Sequence, residues 1–331
     1  MKILLVKLSS LGDVVHTLPA LQDILVAMPD AQIDWVVEKA FAPLLSQVKG
    51  VQRIIPCELR RWRQSFWTAQ TRREWRAFKA DFQAARYDAV IDLQGLTKSA
   101  LVAWLAKLTS HGKRYAMANQ TEGSGYEAPT RWVADVAITQ EPHVHAVARA
   151  RVLAAEALGY ELKNSKIGVN YGLNMPIAQS IRGQEAPKKI AFIHGTSRQD
   201  KTWPLQHWQA LGQRLLGQGY QVMLVHGNAD ELLTSRAIAA QLGHHSVVLP
   251  LLSLAELTQE LGACHGAIGV DSGVSHIAAA LGLPHVQIYN FDTAWRTGPL
   301  GCAYQVSVFG QPSPTVDAVW RAWLACESAV T

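Results

Sequence analysis

At 331 residues, with 49% hydrophobic and 17% charged residues, the chain is long enough for two cores of roughly 150 residues each and too apolar to be disordered. Four scattered cysteines (57, 264, 302 and 326) exclude a disulfide scaffold and a cysteine-rich zinc site, and they point to a reducing compartment. The formal charge of +5 is local, because residues 53–86 hold nine Arg/Lys against three Asp/Glu, so an anionic partner is expected there.

The opening Met1-Lys2-Ile3-Leu4-Leu5-Val6-Lys7 has too short an apolar run for a signal-peptide core. No apolar stretch approaches the ~18 residues needed to span a bilayer. In chain order, strands are predicted at 3–6, 33–37, 53–55 and 89–93, then at 190–194, 221–225, 246–249, 267–270 and 285–289. Amphipathic stretches such as 208–216 and 254–261 lie between them. This alternation predicts an α/β fold of parallel sheets with crossover helices. Residues 161–189 hold Asn164, Asn170, Gly172, Asn174, Pro176, Gly183 and Pro187 and read as a linker. The expected organisation is two doubly wound lobes, 1–160 and 190–331, facing across a cleft. In such sheets ligands sit beyond the carboxyl ends of strands, where the strand order reverses.

Four segments carry candidate chemistry. Lys7-Leu8-Ser9-Ser10-Leu11-Gly12-Asp13 follows the first strand; Asp13 fits either an N-capping role or a base taking a proton from an attacking hydroxyl, worth roughly 10²–10⁴ in rate. Arg60, Arg61 and Arg63 surround Trp62, and Arg72, Arg73, Arg76 and Lys79 flank Trp75, Phe78 and Phe82 at helical spacing. That pattern suits a membrane surface or an anionic lipid headgroup, single-stranded nucleic acid, or a charged face over a core stripe. His194-Gly195-Thr196-Ser197 leads to Lys201-Thr202-Trp203-Pro204, with hydroxyls and a cation suited to a diphosphate. In the last segment, strand 266–270 turns through Asp271-Ser272-Gly273 into a helix from about Val274 that carries His276; a glycine there lets phosphate approach the helix N-terminus. The bland alternatives are an N-cap with a tight turn, a solvated lysine and a packed histidine. Neither a Walker A sequence nor G-x-G-x-x-G occurs, which weakens kinase and dehydrogenase readings.

Taken in this order, ILLVKLSSLGDVVHTLPAL, IDWVVE, RRWR, YDAVIDLQGLTKSA, K-x-W-P at 201–204 and VDSGVSHIAAALGLP resemble glycosyltransferase family 9, the ADP-heptose:lipopolysaccharide heptosyltransferases, over nearly the whole chain. Within the family the chain is most similar to members that add the first heptose. The resemblance implies a GT-B fold, with the acceptor on the first Rossmann-like lobe and the nucleotide sugar on the second. It implies inverting transfer of L-glycero-D-manno-heptose from ADP-heptose to Kdo₂-lipid A, without a required cofactor or metal, by a cytoplasmic enzyme peripheral to the inner membrane of a Gram-negative bacterium. Asp13 would then be the general base, Thr196, Ser197, Lys201, Asp271, Ser272, Gly273 and His276 the donor site, and Ser10, Gly12, Arg60, Arg61 and Arg63 the acceptor side. One departure stands out: the family usually shows Gly-x-Thr-x-Pro where this chain has Asn290-Phe291-Asp292-Thr293-Ala294. The alternatives are a transferase adding the second heptose or another family 9 enzyme, a nucleotide-sugar epimerase, and a single-strand nucleic-acid binder; nucleic acid is not the expected partner.

Overall fold

Residues 1–162, 169–173 and 188–330 are described in a computed structural model of the chain. They form two compact units, Met1–Asn164 with Asn170–Gly172, and Leu173–Thr331 with Ser165–Val169. Most of the expected linker lies outside the described residues. At its edges, the Lys49 N–H donates to the Gly172 carbonyl at 2.8 Å, and the first strand of the second unit already begins at Lys189.

The first unit holds six parallel strands: β1 (Lys2–Val6), β2 (Gln32–Glu38), β3 (Val51–Cys57), β4 (Arg86–Asp92), β5 (Lys107–Met117) and β6 (Val136–Ile138). Their order is β3-β2-β1-β4-β5-β6, so the direction of winding reverses between β1 and β4. β1, β2 and β4 are covered on both faces and read as apolar runs, which is why the sequence announces them. β5 and β6 were not anticipated. Lys107–Met117 is half exposed and carries charges, and three-residue β6 is an edge strand.

In the second unit the strands are β7 (Lys189–Ile193), β8 (Gln221–Leu224), β9 (Ser246–Val248), β10 (Gly266–Val270), β11 (His285–Tyr289) and β12 (Gln305–Phe309). The order β12-β11-β10-β7-β8-β9 places the reversal between β7 and β10. All five expected strands are present; β12, an edge strand with alternating burial, escaped notice. Phe192, Trp203, Trp208 and Trp323 anchor the core. Gly269 is required by close packing, since a Cβ there would come within 2.3 Å of the Ser275 hydroxyl and 2.8 Å of Ile193. It lets helix Gly273–Ala280 seat directly on β10.

The aromatic stripe of the basic segment is core. Phe78 and Phe82 of helix Ala69–Phe82 are buried and stacked, and Trp75 packs with them against buried Trp62 of helix Leu59–Gln64. Burying each such side chain is worth roughly 1.5–3 kcal/mol, which outweighs presenting it to a partner. The expected aromatic face for a membrane or nucleic acid is therefore not offered by this helix.

Candidate active site

Asp13 in the first unit, and Thr196, Lys201 and Asp271 in the second, follow the strands that flank the reversal of each sheet, whereas Arg60, Arg61 and Arg63 follow edge strand β3. In the first unit helix Leu11–Ala27 follows β1, with Ser10 at the N-cap and Asp13 one turn in. An Asp13 oxygen accepts from the Ser10 N–H at 3.0 Å and the Ser10 hydroxyl at 2.9 Å, and the buried Lys7 ammonium lies 4.0 Å from the other oxygen. Burial opposes ionisation of Asp13, but Lys7 and the Ser10 hydrogen bonds outweigh it and hold the carboxyl below its ordinary value. The side chain stays 39% exposed, so an ionised, fixed carboxylate faces solvent. The N-cap is therefore Ser10 and not Asp13; Asp13 closes the capping box from the third helical position while its side chain stays partly exposed.

The neighbouring strand end supplies residues to which sequence reasoning assigned no role. After β4, the Gln94 side chain accepts from the N–H groups of Leu8 (2.8 Å) and Ser9 (3.1 Å) and donates back to the Ser9 carbonyl at 2.5 Å. Lys98 donates to the Ser9 hydroxyl, and Lys7 donates to the Leu93 carbonyl at 2.9 Å. Asp92, buried beneath, accepts from the N–H groups of Gln94 and Gly95 and the Ser99 hydroxyl; burial nonetheless pushes its carboxyl up to about 6. The position of YDAVIDLQGLTKSA at the strand reversal was the available signal. Ser10 and Gly12, expected on the acceptor side, serve locally: Ser10 clamps Asp13, and Gly12 is buried in the first helical turn.

A cavity of about 650 Å³ opens nearby in the same unit, lined by Leu59, Trp62, Phe66, Trp75 and Leu101, with Arg60, Arg63 and Lys98 as its cations. Arg61 does not line it. Its guanidinium is held by Glu58 and Glu74, and the Trp62 indole N–H donates to Glu74 at 3.0 Å. Of the three arginines expected at the acceptor, two reach the cavity and one braces the helix pair, because carboxylates three and thirteen residues away capture it.

In the second unit the β7 and β10 loops flank the reversal. Ser272 caps helix Gly273–Ala280, which begins one residue earlier than expected, and the Thr196 hydroxyl donates to the Asp271 carbonyl at 3.4 Å. Asp271 is nearly buried; one oxygen lies 2.5 Å from the Lys201 ammonium and the other 3.5 Å from His276 Nε2. Burial disfavours its charge, but His276 and Lys201 hold the carboxyl well below the usual carboxylate range. Lys201 is accordingly ion-paired and only partly exposed, not a free loop lysine. Ser197 is exposed beside it, whereas His194 is buried, 2.7 Å from the Ser235 hydroxyl. In the departing loop, the Asn290 amide donates to the carbonyls of Asp200 (3.0 Å) and Thr202 (2.9 Å), clasping the loop that carries Lys201. The Arg198 guanidinium lies over Phe291 at 5.8 Å.

This arrangement can hold an anion: a helix N-terminus and a fixed ammonium converge where a glycine leaves the backbone open. Residues 75–319 match the family described as glycosyltransferase family 9 (heptosyltransferase). Lipopolysaccharide heptosyltransferase 1 of Pseudomonas aeruginosa is 39% identical over 91% of this chain and 82% of its own length. Lipopolysaccharide heptosyltransferase 2 of Escherichia coli is 28% identical over 91% of this chain and 86% of its own. Among solved structures, E. coli heptosyltransferase WaaC with ADP superposes with a TM-score of 0.85 at 33% identity, covering 97% of this chain and 98% of that one; the same protein with ADP-2-deoxy-2-fluoro heptose gives 0.80. The two parallel six-stranded sheets are those of a GT-B glycosyltransferase, and the chain belongs to glycosyltransferase family 9.

Proposed function

We propose that the chain transfers L-glycero-D-manno-heptose from ADP-heptose to a Kdo hydroxyl of Kdo₂-lipid A, with inversion at the anomeric carbon. The observation that carries this reading is the ionised, partly exposed Asp13 carboxylate, held by Ser10 and Lys7 at the strand reversal of one unit, in a chain whose other unit sets Lys201 and the N-terminus of helix Gly273–Ala280 beside its own reversal. Inverting transfer needs those two parts and no covalent intermediate.

Asp13 removes the proton of the acceptor hydroxyl as its oxygen bonds to the anomeric carbon. The bond from that carbon to the β-phosphate oxygen breaks, and ADP leaves with the electron pair. The developing charge on the diphosphate is met by Lys201, the hydroxyls of Thr196 and Ser197, and the N–H groups of the turn at Ser272 and Gly273. Asp271, itself an anion, does not face phosphate productively; it fixes Lys201 and His276 and can accept from a sugar hydroxyl. Arg60, Arg63 and Lys98 suit the carboxylates and phosphates of the acceptor, which lies at the cytoplasmic face of the inner membrane in this reading. Three observations favour this acceptor over an already heptosylated one, over epimerisation and over nucleic acid: the higher identity to heptosyltransferase 1, a fixed carboxylate at Asp13, and a Trp75-Phe78-Phe82 stripe that packs into the core and is not a stacking platform.

The test is transfer from ADP-heptose to Kdo₂-lipid A by the purified chain, with heptosylated acceptor and other nucleotide sugars alongside. Product from Kdo₂-lipid A alone is expected. Turnover only on heptosylated acceptor, or conversion of nucleotide sugar without acceptor, would replace this reading.

A further inference from the structure

No helix among the described residues is long and apolar enough to cross a membrane, yet the proposed acceptor is a lipid. We propose that one outer face of the first unit, carrying Phe66, Trp67, Leu101, Trp104 and Trp132, docks on a bilayer that displays anionic headgroups. The inference rests on the lipid-acceptor reading and names the surface that serves it.

Among the described residues, every exposed tryptophan lies in the first unit: Trp67 at 73%, Trp104 at 61% and Trp132 at 78%. Trp67 and Phe66 follow helix Leu59–Gln64. Leu101 and Trp104 stand three residues apart on the outward side of helix Thr97–Leu105, where a helix of a globular protein normally carries polar side chains; Val102, Ala103 and Leu105 face the core. Trp132 belongs to helix Pro129–Val133, which packs against helix Thr97–Leu105. Phe66 and Leu101 also line the cavity that holds Arg60, Arg63 and Lys98, so the apolar face is continuous with the acceptor-side cations.

The surrounding charge selects the occupant. Arg53 is bound to Asp34 and Asp81, and Arg61 to Glu58 and Glu74. Arg60, Arg63, Arg72, Arg73, Arg76 and Lys79 remain exposed, and no ion pair to them occurs among the described residues. Indole rings that are apolar in body and polar at one edge favour the headgroup level of a bilayer, and cations beside them are drawn to an anionic leaflet. A lipid acceptor would thereby be met at the surface where its headgroup lies.

The experiment uses the full chain and vesicles of phosphatidylethanolamine with phosphatidylglycerol, with phosphatidylcholine vesicles as the neutral control. The wild type is expected to sediment with the anionic vesicles, less so at high salt. The variant Trp67→Ser/Trp104→Ser/Trp132→Ser is expected to bind roughly a hundredfold or more weakly, since burying one large apolar side chain is worth about tenfold. Activity on an acyl-free, soluble Kdo acceptor should be unchanged, while activity on acceptor embedded in vesicles should fall. Undiminished vesicle binding by the triple variant, or no binding by the wild type, overturns the proposal. So does a wild-type dimer that the triple variant converts to monomer, or competition by single-stranded DNA that these substitutions abolish. Turnover of the soluble acceptor separates the two readings, because it tests the transfer reaction whatever the vesicle result.

Discussion

Lys201 reaches across from the loop after β7 to place its ammonium 2.5 Å from Asp271, the residue that follows β10. The two sit on either side of the strand reversal, and neither is freely exposed: their side chains are 19% and 7% exposed. Removing Lys201 therefore does two things. It deletes a cation from the donor side, and it leaves a buried carboxylate with the His276 ring, 3.5 Å away, as its nearest remaining partner. Lys201→Ala should raise the KM for ADP-heptose, lower kcat, and destabilise the second unit by about 3 kcal/mol. Adding Asp271→Ala should restore part of that stability but none of the activity. Urea midpoints for the single and double variants give the coupling, and a value near zero would dissolve the pair as a structural unit.

Asp13 separates a cap from a base by one substitution. Asn keeps an oxygen to accept from the Ser10 N–H, so Asp13→Asn should preserve the helix and ADP-heptose affinity. What it loses is the proton acceptor, and kcat should fall by roughly 10²–10⁴. Calorimetric donor titration with steady-state kinetics checks this; near-normal kcat would confine Asp13 to capping.

Gln94 acts on Asp13 through the backbone. Its side chain satisfies three backbone groups of Leu8 and Ser9, and that loop sets where Ser10 and Asp13 stand. We expect Gln94→Ala to lower kcat by about 10², the order of loss that a 1 Å misplacement brings, while donor affinity is unchanged. Gln94→Glu keeps the acceptor for both N–H groups and should recover much of the rate. Equal loss in both variants would argue for a direct role in place of positioning.

Arg61 and Arg63 should respond differently although they are two residues apart. Arg63 lines the cavity, so Arg63→Ala should raise the acceptor KM with little change in thermal stability. Arg61 is tied to Glu58 and Glu74, and Arg61→Ala should loosen the two helices and lower Tm while affecting KM less. Indistinguishable KM effects would return Arg61 to the acceptor site.

Strands with both faces buried, and glycine-marked strand-to-helix turns, were legible because continuous apolar runs and Gly12 or Gly273 are local signals. Half-exposed β5 and edge strand β12 were not, since such strands mix polar and apolar residues as loops do. The same limit governed the site. Asp13, Lys201 and Asp271 announced themselves by following strands, but their hydrogen-bond partners are set by tertiary pairing. Arg61 shows the cost: RRWR looks like one basic patch, and only the fold reveals that Glu74 claims its middle arginine. Asn290 shows the converse, because a departure from the family pattern at 290–294 proves to clasp the loop carrying Lys201.

Acid should weaken the second unit before the first. His194 and His285 are buried neutral, with values lowered to about 4 by burial; His226 adds to the effect at His194, and at His285 the bond to the Ala267 carbonyl only partly opposes it. An unfolded histidine titrates near 6.5, so between about 6.5 and 4 the unfolded chain takes up protons that the folded unit refuses. Each histidine then costs about 1.4 kcal/mol per pH unit as pH falls through that window. Asp271, whose value is depressed, adds a further loss only below its ordinary carboxylate range. Asp92 in the first unit has the opposite sign. Its value of about 6 means that the folded form holds a proton the unfolded one has lost, so acidification toward 4 favours folding there. Hydrogen exchange at pH 7 and pH 5 should show protection falling in β7, β10 and β11 and persisting in β1 and β4. His285→Gln, which can still donate to Ala267, should roughly halve the loss in the second unit; equal acid sensitivity of the two sheets would refute the assignment.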